Sequence, residues 1–412
     1  MKFDFPAYAE KSLQLYYSYG SKVDSVIVAL NKTGQADVNF PDKDFHGFIQ
    51  LADRGVELTE FIVGEPALNI VCQAPVANTQ TISFPGSDEN AFFHTNLNLQ
   101  SQLTAKLGWL QAGYQFYGYN PGVITFVQQE SKNIQDSIQT LTYTIDHSPL
   151  YAARFIQWVG FLNRMYEARQ QRDPAKIQAA ISEMETTADI NTLYTAGQLW
   201  NTASDIYFSL FGQTETPNAQ VEYALSINRI AARLSGGVQE SFFAAAVVQC
   251  ERYQWTQAQE MIVQQIALSY ENIDTLSPRL QRLLGTQKTR KGAPAPEIMG
   301  LTQPVNQALL VIFYESGCGH CQAQLAILKE NYPAIRDQGV RVVTISADES
   351  QEVYEYHSKD FPWPDKLCDY KGFAGVNFIN YGVLGTPGIY MIDKDGILLG
   401  RYGTILDTGV LN

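Results

Sequence analysis

The sequence predicts a multidomain chain of three fold classes: an all-β antiparallel sandwich over residues 1–88, an α-helical region over 89–287 and an α/β domain over 288–412. Three observations predict this. Before residue 88, short apolar runs recur between turn residues at near-regular spacing, the pattern of strands in a small sandwich or open barrel. From about residue 90 the apolar positions fall at helical spacing instead. After residue 288, two runs typical of buried strands are joined through a helical segment, and a hairpin follows.

The expected strands of the first region are 12–17, 23–30, 38–40, 47–51, 56–63 and 67–72. Gly20-Ser21-Lys22 and Asn31-Lys32-Thr33-Gly34 supply turns between them. No titratable residues with catalytic spacing cluster here, so the region reads as a folding or binding module. The expected helices are 97–109, 124–144, 150–169, 174–184, 196–210, 218–234, 238–253 and 256–269. Asp173 followed by Pro174 is an N-cap with proline at the first helical position. Phe155, Trp158, Phe161 and Leu162 share one helical face and read as a packing stripe. No repeat period is visible. Gly285 to Pro296 is polar, basic and Gly/Pro-containing, as linkers are.

Bulk composition narrows the function classes. A chain of 412 residues with 45% hydrophobic and 12% aromatic content can build two or three cored domains. A net charge of −13 argues against nucleic acid as a partner. No apolar run is long enough to span a bilayer. Met1 leads straight into Lys2-Phe3-Asp4-Phe5, without a visible leader. That is a cytosolic start if taken literally, and equally the start of a mature exported chain whose leader was replaced. Of the five cysteines, Cys72 and Cys250 occupy core positions of a strand and a helix, and Cys368 stays open between packing and redox use.

The chemistry concentrates at Leu309 to Cys321. The apolar run 309–314 is a buried-type strand, a short turn follows, and Cys318 and Cys321 arrive where a helix, expected over 321–329, begins. Unpaired N–H groups and the positive end of the helix dipole converge there, and both favour thiolate over thiol at Cys318. Cys321 starts deeper and can close a disulfide. His320 between them would stabilise the thiolate when protonated. A zinc site would need two further ligands, and His46, His94, His147 and His357 stand scattered. Beyond the helix, which is expected to break near Pro333, come a strand over 341–345, a helix over 350–358 and a hairpin turned at Lys394-Asp395-Gly396.

Four landmarks in this order resemble the thioredoxin-fold thiol-disulfide oxidoreductases and their AhpC/TSA-like relatives: residues 293–298 (Ala-Pro-Ala-Pro-Glu-Ile), Cys318-Gly319-His320-Cys321, residues 343–348 (Val-Thr-Ile-Ser-Ala-Asp), and Gly385-Thr386-Pro387 before Ile392-Asp393. The likeness covers about a quarter of the chain. It implies a thioredoxin-like fold, a cis Thr386–Pro387 bond beside the dithiol, and substrate backbone bound along Gly319, Thr386 and Pro387. It calls for no metal or organic cofactor. The whole layout resembles, more loosely, a group of Gram-negative envelope proteins with an N-terminal β-rich domain of unknown function. That implies a periplasmic or envelope location.

The resemblance has departures. Ile312 stands where cytosolic thioredoxins keep a buried aspartate, Gly317 replaces a tryptophan, and Gln324 replaces a glutamate of some reductases. Glu315 is a candidate substitute in proton transfer, and the family's terminal helix is expected to be missing or very short. The expected function is disulfide exchange with protein substrates and with a redox partner protein. Cys318 attacks, Cys321 resolves, and His320 sets the poise. The alternatives are an envelope binding or scaffold protein with a minor redox function, or a thiol peroxidase. Tyr314 to Gly317 lack the Pro-x-x-x-Thr context of a peroxidatic cysteine, which disfavours the last.

Overall fold

Inward alternation along short strands builds the first sheets. In the structure, a computed structural model describing residues 1–212, 218–270, 272–301 and 307–411, the strands are β1 (Lys2–Asp4), β2 (Ser12–Tyr19), β3 (Lys22–Ala29), β4 (Gln35–Asp37), β5 (Gly47–Asp53), β6 (Val56–Val63) and β7 (Asn69–Val71). The order β3-β2-β5-β6 makes an antiparallel sheet, and β4-β1-β7 makes a smaller one. Leu13, Leu15, Ile49, Leu51 and Phe61 from the first share a core with Phe3, Phe5, Ile70 and Cys72.

Two details differ from the sequence reading. The small sheet is mixed, because β1 runs parallel to β7. Its other partner is Gln35–Asp37, while 38–40 is not a strand. β1 and β4 are three residues long, too short to show an alternation, so only pairing reveals them. Gly34 permits this pairing: its φ is 77°, and a Cβ there would lie 2.2 Å from the Phe5 carbonyl oxygen.

Among the described residues, helices follow in the same unit: α1 (Asp88–Tyr117), α2 (Pro121–Asp146), α3 (Tyr151–Gln171), α4 (Pro174–Thr186), α5 (Ile190–Tyr194), α6 (Leu199–Phe211), α7 (Ala219–Ala231) and α8 (Gly236–Arg252). Phe155, Trp158, Phe161 and Leu162 are buried as one stripe of α3. The Glu89 carboxylate is buried and accepts from the Tyr151 and Ala152 N–H groups at 2.9 and 2.8 Å, so the start of α1 caps the start of α3. Phe48 of β5 stacks on Phe155 with centroids 4.0 Å apart, which ties sheet to helices. Met1–Ala258 is one compact unit and Gln259–Asn412 the other, with α9 (Thr256–Ser269) beginning just before the boundary. The helical stretch 89–287 is therefore shared between the two units.

In the second unit α10 (Pro278–Lys288) precedes β8 (Ala308–Tyr314), α11 (Gly319–Asp337), β9 (Val340–Ser346), α12 (Gln351–Ser358), β10 (Asp365–Cys368), α13 (Val376–Asn380), β11 (Gly388–Ile392) and β12 (Leu398–Tyr402). The sheet order is β10-β9-β8-β11-β12. β10, β9 and β8 run parallel, β11 is antiparallel to β8, and β12 pairs antiparallel with β11. Residues 285–288, read as linker from composition, are the last turn of α10, whose Leu280, Leu283 and Leu284 are buried. Gly285 packs so closely on α13 that a Cβ would meet the Ile379 carbonyl oxygen at 2.1 Å.

α11 also runs on through Pro333 where a break was expected. Pro333 is exposed, so the carbonyl it leaves without a helical donor can be hydrated. Phe313 lies at 0% exposure against Phe378, Tyr381 and Tyr390, directly before the turn that carries the cysteines. Phe313→Ala should cost about 3–5 kcal/mol by urea denaturation, followed by a probe of the second unit.

Candidate functional site

The apolar strand β8 delivers the chain to the carboxyl edge of the sheet, where residues 315–318 turn into α11. Cys318 is the N-cap of α11, with extended φ and ψ of −87° and 114°. Its Sγ accepts from the Cys321 N–H at 3.3 Å, and its carbonyl accepts from Gln322 N at 3.0 Å. Sulfur thus takes the place of the oxygen that usually satisfies a first-turn N–H. Gly319, His320 and Cys321 form the first turn. Cys318 is half-buried, Gly319 and His320 are exposed, and Cys321 is fully buried against Leu325 and Leu328. Both cysteines are free thiols.

This asymmetry sets their acidity. Burial pulls the Cys318 thiol up, but hydrogen bonds from the Cys321 thiol, the Cys321 backbone, Thr386 and the His320 backbone outweigh it. The result is a Cys318 pKa below the ordinary thiol value. Burial, and then its bond to Cys318, push Cys321 up to about 11. The exposed and more acidic sulfur is the attacking group, and the buried one is held as a thiol. The His320 backbone is among the groups that lower Cys318, and the His320 side chain lies on the exposed surface of the turn.

The segment before β11 supplies the opposite wall. The Thr386–Pro387 peptide bond is cis, both residues are half-buried, and the Thr386 carbonyl oxygen lies 3.7 Å from Cys318 Sγ. Cys318, Cys321, Thr386 and Pro387 are thus gathered at one place, with Gly319 and His320 on its solvent side. Glu315 is exposed, and its carbonyl accepts from Cys318 N at 3.1 Å. Ile312 is fully buried in the core under the site. Gln324 accepts from Ile405 N at 2.8 Å and so anchors the segment after β12 to α11.

A buried carboxylate on the neighbouring strand end holds the dithiol turn. The carboxylate of Asp348, 7% exposed, accepts from Ser316 N at 3.1 Å, Ser316 Oγ at 2.5 Å and Ser346 Oγ at 2.7 Å. Gln322 Nε2 donates to the Ser316 carbonyl at 3.0 Å from the other side. The pairing of β8 with β9 explains the meeting. Tyr314 and Ser346 are in register, and Ser316 and Asp348 each lie two residues further on. Cys368, at the end of β10, sits 3.2 Å by its Sγ from the Asp348 carbonyl oxygen, and burial pushes its thiol up. Among the described residues no group of three or more His, Cys, Asp or Glu has metal-holding geometry.

The AhpC/TSA family model matches residues 295–400. The C-terminal unit is thioredoxin-like. Its thioredoxin-like segment is 29% identical over 84 residues to the thiol-disulfide oxidoreductase ResA of Bacillus thuringiensis subsp. konkukian, covering 20% of this chain and 47% of that protein. It is 28% identical over 99 residues to human nucleoredoxin, covering 23% of this chain and 22% of that one. The match thus spans less than half the length of these relatives. Similar solved structures include a thioredoxin-like protein of Bacteroides caccae, at 18% identity and a TM-score of 0.32, covering 57% of this chain and 92% of that one. Another is the thioredoxin domain of a Bacteroides vulgatus thiol-disulfide oxidoreductase, at 21% identity and a TM-score of 0.25, covering 27% and 87%.

The acidity difference has a direct readout. Iodoacetamide should modify Cys318 first, with a pH midpoint below the ordinary 9.0, and Cys321 only as the pH nears about 11. The signs of the stability effects are opposite. Stabilisation from the Cys318 thiolate is present above its unfolded pKa and lost as pH falls through the depressed folded one. That from the Cys321 thiol is present below its unfolded pKa and lost as pH rises through about 11. Mass-spectrometric mapping across a pH series checks the order; equal rates at both cysteines would refute it.

Proposed function

We propose that this chain is a thiol-disulfide oxidoreductase that exchanges disulfides with protein substrates through Cys318 and Cys321. The observation that carries this is the pair itself: an accessible sulfur capping a helix, one turn from a buried thiol. In the reducing direction the Cys318 thiolate attacks one sulfur of a substrate disulfide. A mixed disulfide forms, and the departing substrate sulfur takes up a proton. Cys321 then loses its proton and attacks the Cys318 sulfur, releasing the second substrate sulfur, which is protonated in turn. Two electrons and two protons pass from the dithiol to the substrate. A redox partner protein reverses the exchange on the Cys318–Cys321 disulfide.

The other residues take positioning roles in this reading. Thr386, Pro387 and Gly319 line the groove for substrate backbone, and the exposed His320, between the two cysteines in sequence, sets the redox poise. Asp348, through Ser316, keeps the turn in the attacking geometry. The proposed location is the periplasm or cell envelope, which the resemblance of the overall layout to envelope proteins supports. No described helix is long and apolar enough to cross a membrane.

Cys321→Ser should accumulate a mixed disulfide between Cys318 and protein substrates, visible on non-reducing gels and dissolved by dithiothreitol. Cys318→Ser should drop disulfide exchange to the uncatalysed background. Titration of the wild type against glutathione should give one reversible two-electron couple. No couple and no trapped partner would favour a scaffold role, and Cys318-dependent hydroperoxide turnover would favour a peroxidase.

A further inference from the structure

The hairpin formed by α1 and α2 stands apart from the rest of its unit. Phe93 and Leu103 are buried on α1, and Ile134, Leu141 and Ile145 on α2. Between residues 104 and 133 nothing is buried. At about 1.5 Å per residue, the last 14 residues of α1 carry the hairpin roughly 20 Å beyond its packed base. Over this stretch Leu107, Leu110, Val123, Ile124 and Val127 are half-buried, while larger apolar groups stand in the open.

Those groups are aromatic and lie near one end. Trp109 is 80% exposed, Phe116 74%, Tyr119 81% and Phe126 61%, with Tyr114 and Tyr117 beside them. A helix face meant for lateral docking would repeat apolar residues at i, i+3, i+4 and i+7 along its length. Here they gather within about two and a half turns of the tip, on both helices and on the turn between them, so an end-on contact reaches them together. The tip backbone is largely satisfied internally. Asn120 N donates to Tyr117 O at 2.9 Å, Asn120 Oδ1 accepts from Gly122 N at 2.9 Å, and Ile124 N donates to Asn120 O at 3.0 Å.

Charge identifies the medium. Residues 90–129 contain no Asp or Glu, in a chain with 42 of them and a net charge of −13. Their one Lys or Arg is Lys106, about 16 Å back from the end of α1. An acid-free, Trp- and Tyr-bearing tip with a cation one headgroup layer behind it has the features of interfacial membrane elements. Aromatic rings settle at the headgroup boundary, and a lysine reaches lipid phosphate.

We propose that the tip of this hairpin inserts end-on into the interface of a phospholipid bilayer and holds the protein at a membrane surface without crossing it. The proposal stands independently of the dithiol chemistry. The full chain should float with phosphatidylcholine vesicles containing phosphatidylglycerol, and Trp109 fluorescence should be quenched by brominated acyl chains. The triple variant Trp109→Ser, Phe116→Ser, Tyr119→Ser removes only exposed side chains, so its circular dichroism should be unchanged while vesicle partitioning falls about tenfold or more. Wild-type protein that stays out of vesicles, or a triple variant that partitions equally, would overturn the proposal. So would self-association by sedimentation that the triple variant abolishes while vesicle binding is absent, which would assign the tip to a second copy of the chain.

Discussion

The first turn of an α-helix presents N–H groups that no carbonyl within the helix can accept, and in α11 the Cys321 N–H finds the sulfur of Cys318 at 3.3 Å. The thioredoxin-like unit is arranged so that this contact can exist. β8, buried along nearly its whole length, fixes where the chain leaves the sheet, and the turn after it delivers Cys318 as the cap. Burial of Cys321 against Leu325 and Leu328 makes the pair unequal. One sulfur receives hydrogen bonds at the surface, while the other is kept protonated in the core. The proposed division into attacking and resolving thiols follows from that inequality.

The cap is steadied by groups from other strands. Asp348 accepts three hydrogen bonds from two serines, and Gln322 holds the same Ser316 from the helix side. A buried carboxylate needs such partners, and here satisfying it also fixes the turn. Where the resemblance would place a buried aspartate, at Ile312, the chain has a core hydrophobe. A buried carboxylate is present, but it lies on the neighbouring strand end and acts on the backbone before Cys318. Cys368 shares the Asp348 neighbourhood as a half-buried thiol whose acidity burial suppresses.

The first unit follows a different logic. Its sheets and helices share aromatic packing, as Phe48 on Phe155 shows, and its buried carboxylate Glu89 serves as a helix cap. Its unusual surface is the α1–α2 tip, where six exposed aromatic residues sit in an acid-free stretch. A chain with the acidity of this one would be repelled by anionic surfaces. A neutral aromatic projection with one lysine offers it a point of approach.

Local patterns made much of this legible in the sequence. Period-two alternation placed β2, β5 and β6; period 3.6 placed the α3 stripe; and an apolar run before a C-x-x-C placed β8, the turn and the helix start. These are properties of neighbouring residues, so the sequence carries them directly. Lys2–Asp4 and Asp365–Cys368 are too short to carry a pattern and exist because a partner strand pairs with them. Residues 285–288 look like linker by composition, yet Leu280, Leu283 and Leu284 give that helix a face to bury. Asp348 meets Ser316 only through the β8–β9 register. The residue types, their order and the dithiol were determined by the sequence alone. Tertiary structure decided which carboxylate holds the turn and which aromatics stay outside, because each depends on groups brought together from distant parts of the chain.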